Sequence, residues 1–154
     1  MKATGEIAKL CESWYSALSD STRLEQSAHA EQFLKLLGWT TPTRLPQSIQ
    51  PSVLTYVLRS CAQTSIAAHF VLPGHLEPPS SLVERGLDFC HTSRLLVSAS
   101  RPLQVGYVFI TDLFRSYLYD IQSDELLLYA NAPMEFNRHF VEVLDKADVE
   151  RGSL

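Results

Sequence analysis

The pattern of apolar positions in the amino-terminal part of the chain predicts two helices, the first of them amphipathic. The first series follows i, i+3, i+4, i+7, i+8 and i+11 and comprises Ile7, Leu10, Cys11, Trp14, Tyr15 and Leu18. Ser19-Asp20-Ser21 then offers a break and a new N-cap. A second helix is predicted through Leu24, Ala28, Phe33, Leu34 and Leu37. Gly38 is well placed to end it, because glycine readily adopts the left-handed conformation that follows many helices.

After a loop with three prolines, runs of β-branched and aromatic residues predict strands. These runs are 53–58, 65–72, 105–110, 114–120 and a last segment through 129. A third helix is predicted over 82–100, and a final one through Phe136, Phe140 and Leu144. The order is therefore α-α-β-β-α-β-β-β-α. A strand, a crossover helix and another strand favour one central mixed sheet flanked by helices, which is an α/β (α+β) class.

The length and the pattern predict a single globular domain over residues 1–145. Residues 146–154 are polar and lack apolar periodicity, so we interpret them as a tail or as the start of a linker. Within the domain, the strand 105–110 ends on Thr111-Asp112, which we expect to form a tight turn. Tyr117 and Tyr119 of the next strand are expected to face a helix or a partner, and a plain hairpin with core aromatics explains them equally well.

Composition narrows the classes of function. The net charge is −4, which gives no overall attraction to nucleic acid or anionic lipid. Between positions 40 and 110, however, five arginines face three acidic residues, a local charge of +2. Three widely spaced cysteines favour free thiols over a disulfide framework. No signal peptide or membrane span is indicated, and a cytoplasmic location is expected.

Common catalytic motifs are absent from the sequence. It contains no glycine-rich dinucleotide or phosphate loop, no nucleophile elbow and no His-Glu-x-x-His. His69 and His75, with Cys61 and His91, fit no compact zinc spacing, so ordinary surface or strand-end histidines are expected. Cys90 and His91 are adjacent on a predicted helix and would point about 100° apart, which is unsuitable for a nucleophile and its base.

Three segments occur in an order that suggests a known family: "EQFLKLLGW", "SIAAHFVLPGHL" and "YVFITDLFRSYLYDI". Together they resemble the PD-(D/E)XK nuclease-like (restriction-endonuclease-like) fold, and more narrowly the domain at the N-terminus of bacterial restriction–modification proteins. The resemblance covers residues 28–145. It implies a helix before the first catalytic strand, a Glu-x-Lys strand before a Pro-Gly turn, and later strands that end on a Thr-Asn-Gly-like turn and on Tyr-Asp.

The resemblance places the catalytic acids on the strands 53–58 and 65–72. Thr55 or Tyr56 stands where the first Asp would be, and His69-Phe70-Val71 stands where Glu-x-Lys would be. Mg²⁺-dependent cleavage needs carboxylates and usually a lysine. The chain has no Asp or Glu from 32 to 76 and no Lys from 36 to 145. We therefore expect a domain that does not cut DNA, with no catalytic residue, no metal and no cofactor, although it could belong to a larger DNA methyltransferase.

The resemblance thus implies a non-catalytic module of a DNA restriction–modification or phage-defence protein. It would position duplex DNA or a partner domain, such as a methyltransferase domain after the polar tail, and a homodimer is a further partner to consider. The candidate DNA contacts, through phosphates, are Arg59, His69, His75, Arg94 and Arg101.

Two other classes of function stay open on the sequence. A small-molecule sensor similar to GAF or PAS modules would also suit paired helices on a mixed sheet. It predicts a cavity lined by Tyr56, Phe70, Tyr107 and Phe109. The other class is an acidic dimeric adaptor or chaperone, which would capture a partner through an exposed apolar face.

Overall fold

The fold comes from a computed structural model that describes residues 4–16, 23–45, 53–60, 63–72, 76, 91–131, 134, 142–152 and 154. The helices discussed below are α1 (Thr4–Ser16), α2 (Arg23–Leu36), α3 (His91–Ser100) and α4 (Lys146–Glu150). A 3-10 turn, Arg101–Leu103, directly follows α3. No helix in the described ranges is long and apolar enough to cross a membrane.

Six strands form a single mixed sheet. They are β1 (Thr43–Arg44), β2 (Val53–Arg59), β3 (Ser65–Val71), β4 (Tyr107–Thr111), β5 (Arg115–Asp120) and β6 (Glu125–Asn131). The strands lie side by side in chain order. Only the β3–β4 pair is parallel, and every other pair of neighbours is antiparallel. The α+β class and the mixed sheet predicted from the sequence are therefore confirmed.

The four central strands, β2 to β5, are buried on both faces, and their alternate residues enter different cores. Leu54 and Tyr56 pack with α1 and α2, whereas Val53 and Val57 pack with Leu96 of α3. We call these two sides the α1/α2 face and the α3 face. Because side chains of a strand alternate, each central strand must be apolar at nearly every position. This explains the unbroken apolar runs that mark β2, β3 and β4.

The side chains of Tyr117 and Tyr119 in β5 lie on the α3 face of the sheet. The rings of Tyr117 and Tyr119 are stacked with their centroids 6.0 Å apart. The Tyr119 hydroxyl donates a hydrogen bond of 3.0 Å to Ser93 Oγ of α3. The structure agrees with both interpretations of these residues, because β4 and β5 form a hairpin with core aromatics and Tyr119 also contacts α3.

The carboxyl-terminal segment, interpreted from the sequence as a polar tail or the start of a linker, contains a short helix that contacts the rest of the domain. Asp145 caps α4 by accepting a hydrogen bond from the backbone N–H of Ala147, and Val149 of α4 is buried. The backbone N–H of Lys146 donates to the carbonyl of Leu37, at 2.8 Å. A single buried apolar residue in a short polar helix leaves no periodic pattern, so tertiary contact rather than local sequence determines α4.

Several predicted features lie outside the described residues. These are the first part of the predicted helix 82–100, the body of the helix through Phe136 and Phe140, and the turn at Pro73-Gly74. The part of the helix 82–100 that is described, α3, is helical as predicted. Strand β1 is an element that the sequence did not predict, since two residues beside a proline give no pattern.

Gly38 ends α2, as predicted, and its backbone makes it hard to replace. Its φ is +94°, and an added Cβ would lie 3.2 Å from Cβ of Lys146. We expect Gly38→Ala to lower the free energy of unfolding by about 1–2 kcal/mol, since an L-residue is strained in this region. Urea denaturation measures the change.

Two other glycines serve as controls for this substitution. Gly5 lies in α1 with nothing within 4 Å of an added Cβ, so Gly5→Ala should stabilise the protein by about 0.5–1 kcal/mol. Gly152 also has a positive φ, +98°, but has open space around it. A loss for Gly38→Ala no greater than that for Gly152→Ala would show that the contact with α4 contributes nothing.

Candidate functional site

The two positions at which the resemblance places catalytic groups are neighbours in the sheet. In the antiparallel register of β2 and β3, Thr55 is paired with His69. Both side chains are on the α3 face, and their residues are buried, with exposed fractions of 2% and 0%. The sequence therefore places a hydroxyl and an imidazole side by side at the centre of the sheet.

A chain of three short hydrogen bonds joins these groups to α3. Ser100 Oγ donates its only hydrogen to the carbonyl of Leu96, at 2.7 Å. It must therefore accept from Nε2–H of His69, which lies 2.7 Å away. Nδ1 of His69 is then the acceptor for the hydroxyl of Thr55, also at 2.7 Å. The network thus determines the tautomer of the imidazole, and both of its nitrogens are satisfied.

Burial keeps this imidazole neutral, because it lowers the pKa of His69 to about 3. The Ser-His-Thr order superficially matches a nucleophile, a base and an orienting group. The proton is on the wrong nitrogen for that chemistry, since Nε2 donates to the serine instead of accepting from it. Ser100 is also fully buried. The arrangement stabilises the junction between the sheet and α3, and it presents no open metal ligand.

The turn after β4 is the second feature of this region. Asp112 Oδ1 accepts the backbone N–H groups of Phe114 and Arg115, at 2.9 and 2.7 Å. The hydroxyl of Thr111 accepts the N–H of Leu113 at 2.8 Å. The tight turn expected from Thr111-Asp112 is therefore confirmed. Burial raises the pKa of Asp112 above its usual value, and the backbone N–H groups of Phe114 and Arg115 oppose that effect.

Leu113 has a strained backbone at the tip of this turn. Its φ is +67°, which is unfavourable for a branched aliphatic residue, and its side chain is completely buried. Its carbonyl accepts the N–H of Met134 at 2.8 Å. Arg115 in turn donates from Nη1 to the carbonyl of Leu76, at 3.1 Å. The turn is held by contacts with distant segments, which is why the strain can persist.

The arginines predicted as DNA contacts lie on one side of the sheet. Arg59 is exposed at the end of β2 and, by alternation from Val57, belongs to the α3 face. Arg94 is exposed on α3, and Arg101 is exposed in the turn that follows α3. Arg101 is engaged with Asp124 in an ion pair and donates from Nη1 to the carbonyl of Ile121. The structure thus places three of the five predicted residues in the α3 layer.

Neither of the two histidines that were predicted as DNA contacts is among the described residues of this surface. His69 cannot contact a DNA phosphate, since it is entirely buried and both ring nitrogens are occupied within the fold. Its prediction as a DNA contact therefore does not hold. His75 lies outside the described residues, as do Cys61 and Cys90. Among the residues that are described, no cluster of three or more His, Cys, Asp or Glu side chains could hold a metal ion.

The cavity predicted by the sensor interpretation is occupied by side chains. Phe70 packs edge-to-face against Tyr56 and Phe109, with ring centroids 5.9 and 6.4 Å away, and Phe33 of α2 packs on Phe70 and Phe109. These residues form core, not a cavity. Tyr56 does, however, line a different cleft of about 420 Å³ between α2 and β1. Sequence reasoning missed this cleft, because its walls come from separate segments.

Comparison with family models, with curated proteins and with solved structures gives no match for this chain.

The buried histidine predicts a pH dependence of stability. Its pKa in the folded protein lies below the ordinary value of 6.5, so the unfolded chain binds a proton that the fold excludes. The stability that His69 contributes is complete above about pH 6.5. It falls by about 1 kcal/mol per pH unit as the pH decreases from there towards 3. Urea unfolding at a series of pH values measures this slope.

His69→Gln should reduce the slope, because glutamine can bond to Thr55 and Ser100 but does not titrate. His29→Gln is the matched control, since His29 lies on α2 in an exposed hydrogen bond with Ser13. His69→Gln should reduce the slope by more than this control does. An unchanged slope in His69→Gln would contradict the assignment of this pH dependence to His69.

The turn after β4 can be tested with a pair of substitutions at Asp112. Asp112→Ala leaves two backbone donors without their acceptor and should cost about 1–3 kcal/mol of stability. Asp112→Asn keeps an acceptor oxygen and avoids burying a charge, so its loss should be under about 1 kcal/mol. Chemical denaturation distinguishes the two, and equal losses would argue against a role of the side-chain acceptor.

Proposed function

We propose that this chain is a non-catalytic, nuclease-like module of a DNA restriction–modification or phage-defence protein. In this role it positions duplex DNA or a partner domain, such as a methyltransferase domain, in the cytoplasm. The observation that carries the proposal is the Thr55–His69 pair. The resemblance puts the first acid of the metal site at Thr55 or Tyr56 and the Glu-x-Lys at His69-Phe70-Val71. The side chains of Thr55 and His69 are paired across β2 and β3 and are hydrogen-bonded to each other.

The arrangement of elements supports the same proposal. The chain passes from β3 through α3 to the parallel neighbour β4, which ends on Thr111-Asp112. The following strand, β5, ends on Tyr119-Asp120. This is the succession of helix, strand, turn and Tyr-Asp strand that the resemblance implies. A hydroxyl and a neutral imidazole offer no carboxylate oxygens to Mg²⁺, which is the chemistry expected of a domain that binds without cutting.

The α3 layer is the surface that this proposal assigns to DNA. Arg59, Arg94 and Arg101 are exposed there, and arginine forms charge-assisted hydrogen bonds with phosphate oxygens. Binding through a few such contacts depends little on base sequence and falls as salt displaces the protein. Asp124 reduces the contribution of Arg101, because its carboxylate already bonds to that guanidinium.

The test is fluorescence anisotropy of a labelled DNA duplex over a series of salt concentrations. We expect salt-dependent binding, with a dissociation constant of about 10⁻⁴ to 10⁻⁶ M near physiological salt. Arg59→Gln and Arg94→Gln should each weaken binding and reduce the salt slope by about 1. If the duplex is not bound at about 50 mM salt with protein near 10⁻⁴ M, the DNA-positioning role is contradicted.

Asp124→Asn provides a control that should change the DNA affinity in the opposite direction. Asp124 has a φ of +58°, a conformation that asparagine tolerates well, so the turn should be retained. The substitution removes the carboxylate that holds Arg101 and should strengthen DNA binding, whereas Arg101→Gln should weaken it. An equal decrease in both variants would indicate that the ion pair serves the fold and not the interaction with DNA.

A further inference from the structure

A cleft of about 420 Å³ opens at the β1 edge of the sheet, on the α1/α2 face. One wall is α2, a second is the connection 39–42, and Arg44 of β1 forms the third. The volume lies within the range usual for small-molecule sites. Because Arg59 and α3 lie on the opposite face of the sheet, the cleft is independent of the DNA-positioning role proposed above.

Charged groups of both signs line this cleft. Glu31 and Lys35 are four residues apart on α2, so they lie on the same side of the helix. Arg44 enters from β1, where the register places it directly opposite Tyr56. Within the described part of the chain, no ion pair engages Lys35 or Arg44. The cleft therefore offers two cationic groups and one carboxylate to a ligand.

A hydrogen bond holds the carboxylate in place at the floor of the cleft. The hydroxyl of Tyr56 donates to Glu31 Oε2, at 2.9 Å. Tyr56 itself is buried, and burial together with Glu31 raises the pKa of its phenol, which keeps the phenol a neutral donor. Among the described residues this is the hydrogen bond that Glu31 accepts, and it engages Oε2, so Oε1 can accept a hydrogen bond from a ligand.

The wall formed by the connection 39–42 is rigid, and its rim is polar. The indole N–H of Trp39 donates to the carbonyl of Leu144, at 2.9 Å, which fixes the ring beside the floor. Thr40 and Thr41 follow immediately and are exposed, so their hydroxyls are available at the entrance. A preformed wall lowers the entropic cost of binding a small ligand.

We propose that this cleft binds an acidic amino acid, a molecule with two carboxylates and one ammonium group. The two carboxylates match Lys35 and Arg44, and the ammonium group matches the carboxylate of Glu31. The net charge of the three side chains is opposite to that of the ligand. A dicarboxylate without an amine would leave Glu31 facing negative charge, and a phosphate would meet the same repulsion, so the zwitterion fits better than a simple anion.

Isothermal titration calorimetry of the full chain with L-glutamate, L-aspartate and glutarate tests this proposal. Glutarate keeps both carboxylates of L-glutamate but lacks the ammonium group. We expect one acidic amino acid to bind with one site per chain and to bind about tenfold or more tightly than glutarate. Saturable binding absent up to about 10 mM for both amino acids would overturn the proposal.

Substitutions in the cleft should change the preference for the amino acid over glutarate, which a purely structural role of these residues would not do. Glu31→Gln should abolish the preference over glutarate, because glutarate no longer meets a carboxylate. Lys35→Gln and Arg44→Gln should weaken amino acid and glutarate alike, by about tenfold each. All three residues are exposed, so these variants should fold, and circular dichroism checks that they do.

Arg59→Gln is the matched control, since it removes an exposed arginine from the opposite face and should leave binding unchanged. Tyr56→Phe keeps the ring of the floor but removes the hydrogen bond to Glu31, and it should reduce the preference over glutarate. A preference that survives in Glu31→Gln would overturn the assignment of the ammonium site. So would glutarate binding as tightly as the amino acid in the parent protein.

Discussion

Strand β3 is enclosed on all sides, and this enclosure determines where polar groups can lie in the fold. Helices cover both of its faces, β2 and β4 occupy its two edges, and residues 66–71 are all buried. Any polar side chain in this strand must be neutral and fully hydrogen-bonded, because an unmatched donor or charge there is costly. His69 meets this requirement through Thr55 on one side and Ser100 on the other. The same enclosure removes the middle of the sheet from contact with any ligand.

The charged groups of the two proposed binding surfaces lie on opposite sides of the sheet. On the α3 side, exposed arginines give a surface suited to phosphates. On the α1/α2 side, the cleft beside β1 mixes both signs of charge, which suits a small zwitterion better than a polyanion. One chain could then serve both interactions without competition. A ligand in the cleft would influence the other face only through the strands between them.

Much of the fold follows from the spacing of apolar residues. Helices α1 and α2 and the five longer strands were predictable, because long amphipathic or fully apolar segments carry strong patterns. Strand β1 and helix α4 were not, since two residues and one buried valine are too few to form a pattern. Their positions depend on tertiary contacts with β2 and with the end of α2.

The site was less predictable than the fold. His69 sits in an unbroken apolar run, and that run was the available signal that it is buried on both faces. His69 was instead predicted to contact DNA phosphates, because it is a polar residue that can carry a positive charge. The cleft left no local signal at all: Glu31 and Lys35 meet Arg44 only because β1 pairs with β2 beside α2. The charged cleft therefore results from the pairing of distant strands and not from the composition of any one segment.

The bond between Trp39 and Leu144 joins positions 105 residues apart in the chain. All six strands follow helices α1 and α2 in the chain, and Leu144 follows the strands. Synthesis from position 39 to position 144 takes roughly 5–20 s at ordinary rates of translation. The hydrogen bond from Trp39 to Leu144 can form only after that interval, so the contact between the end of α2 and the segment before α4 is a late event when this domain folds during synthesis.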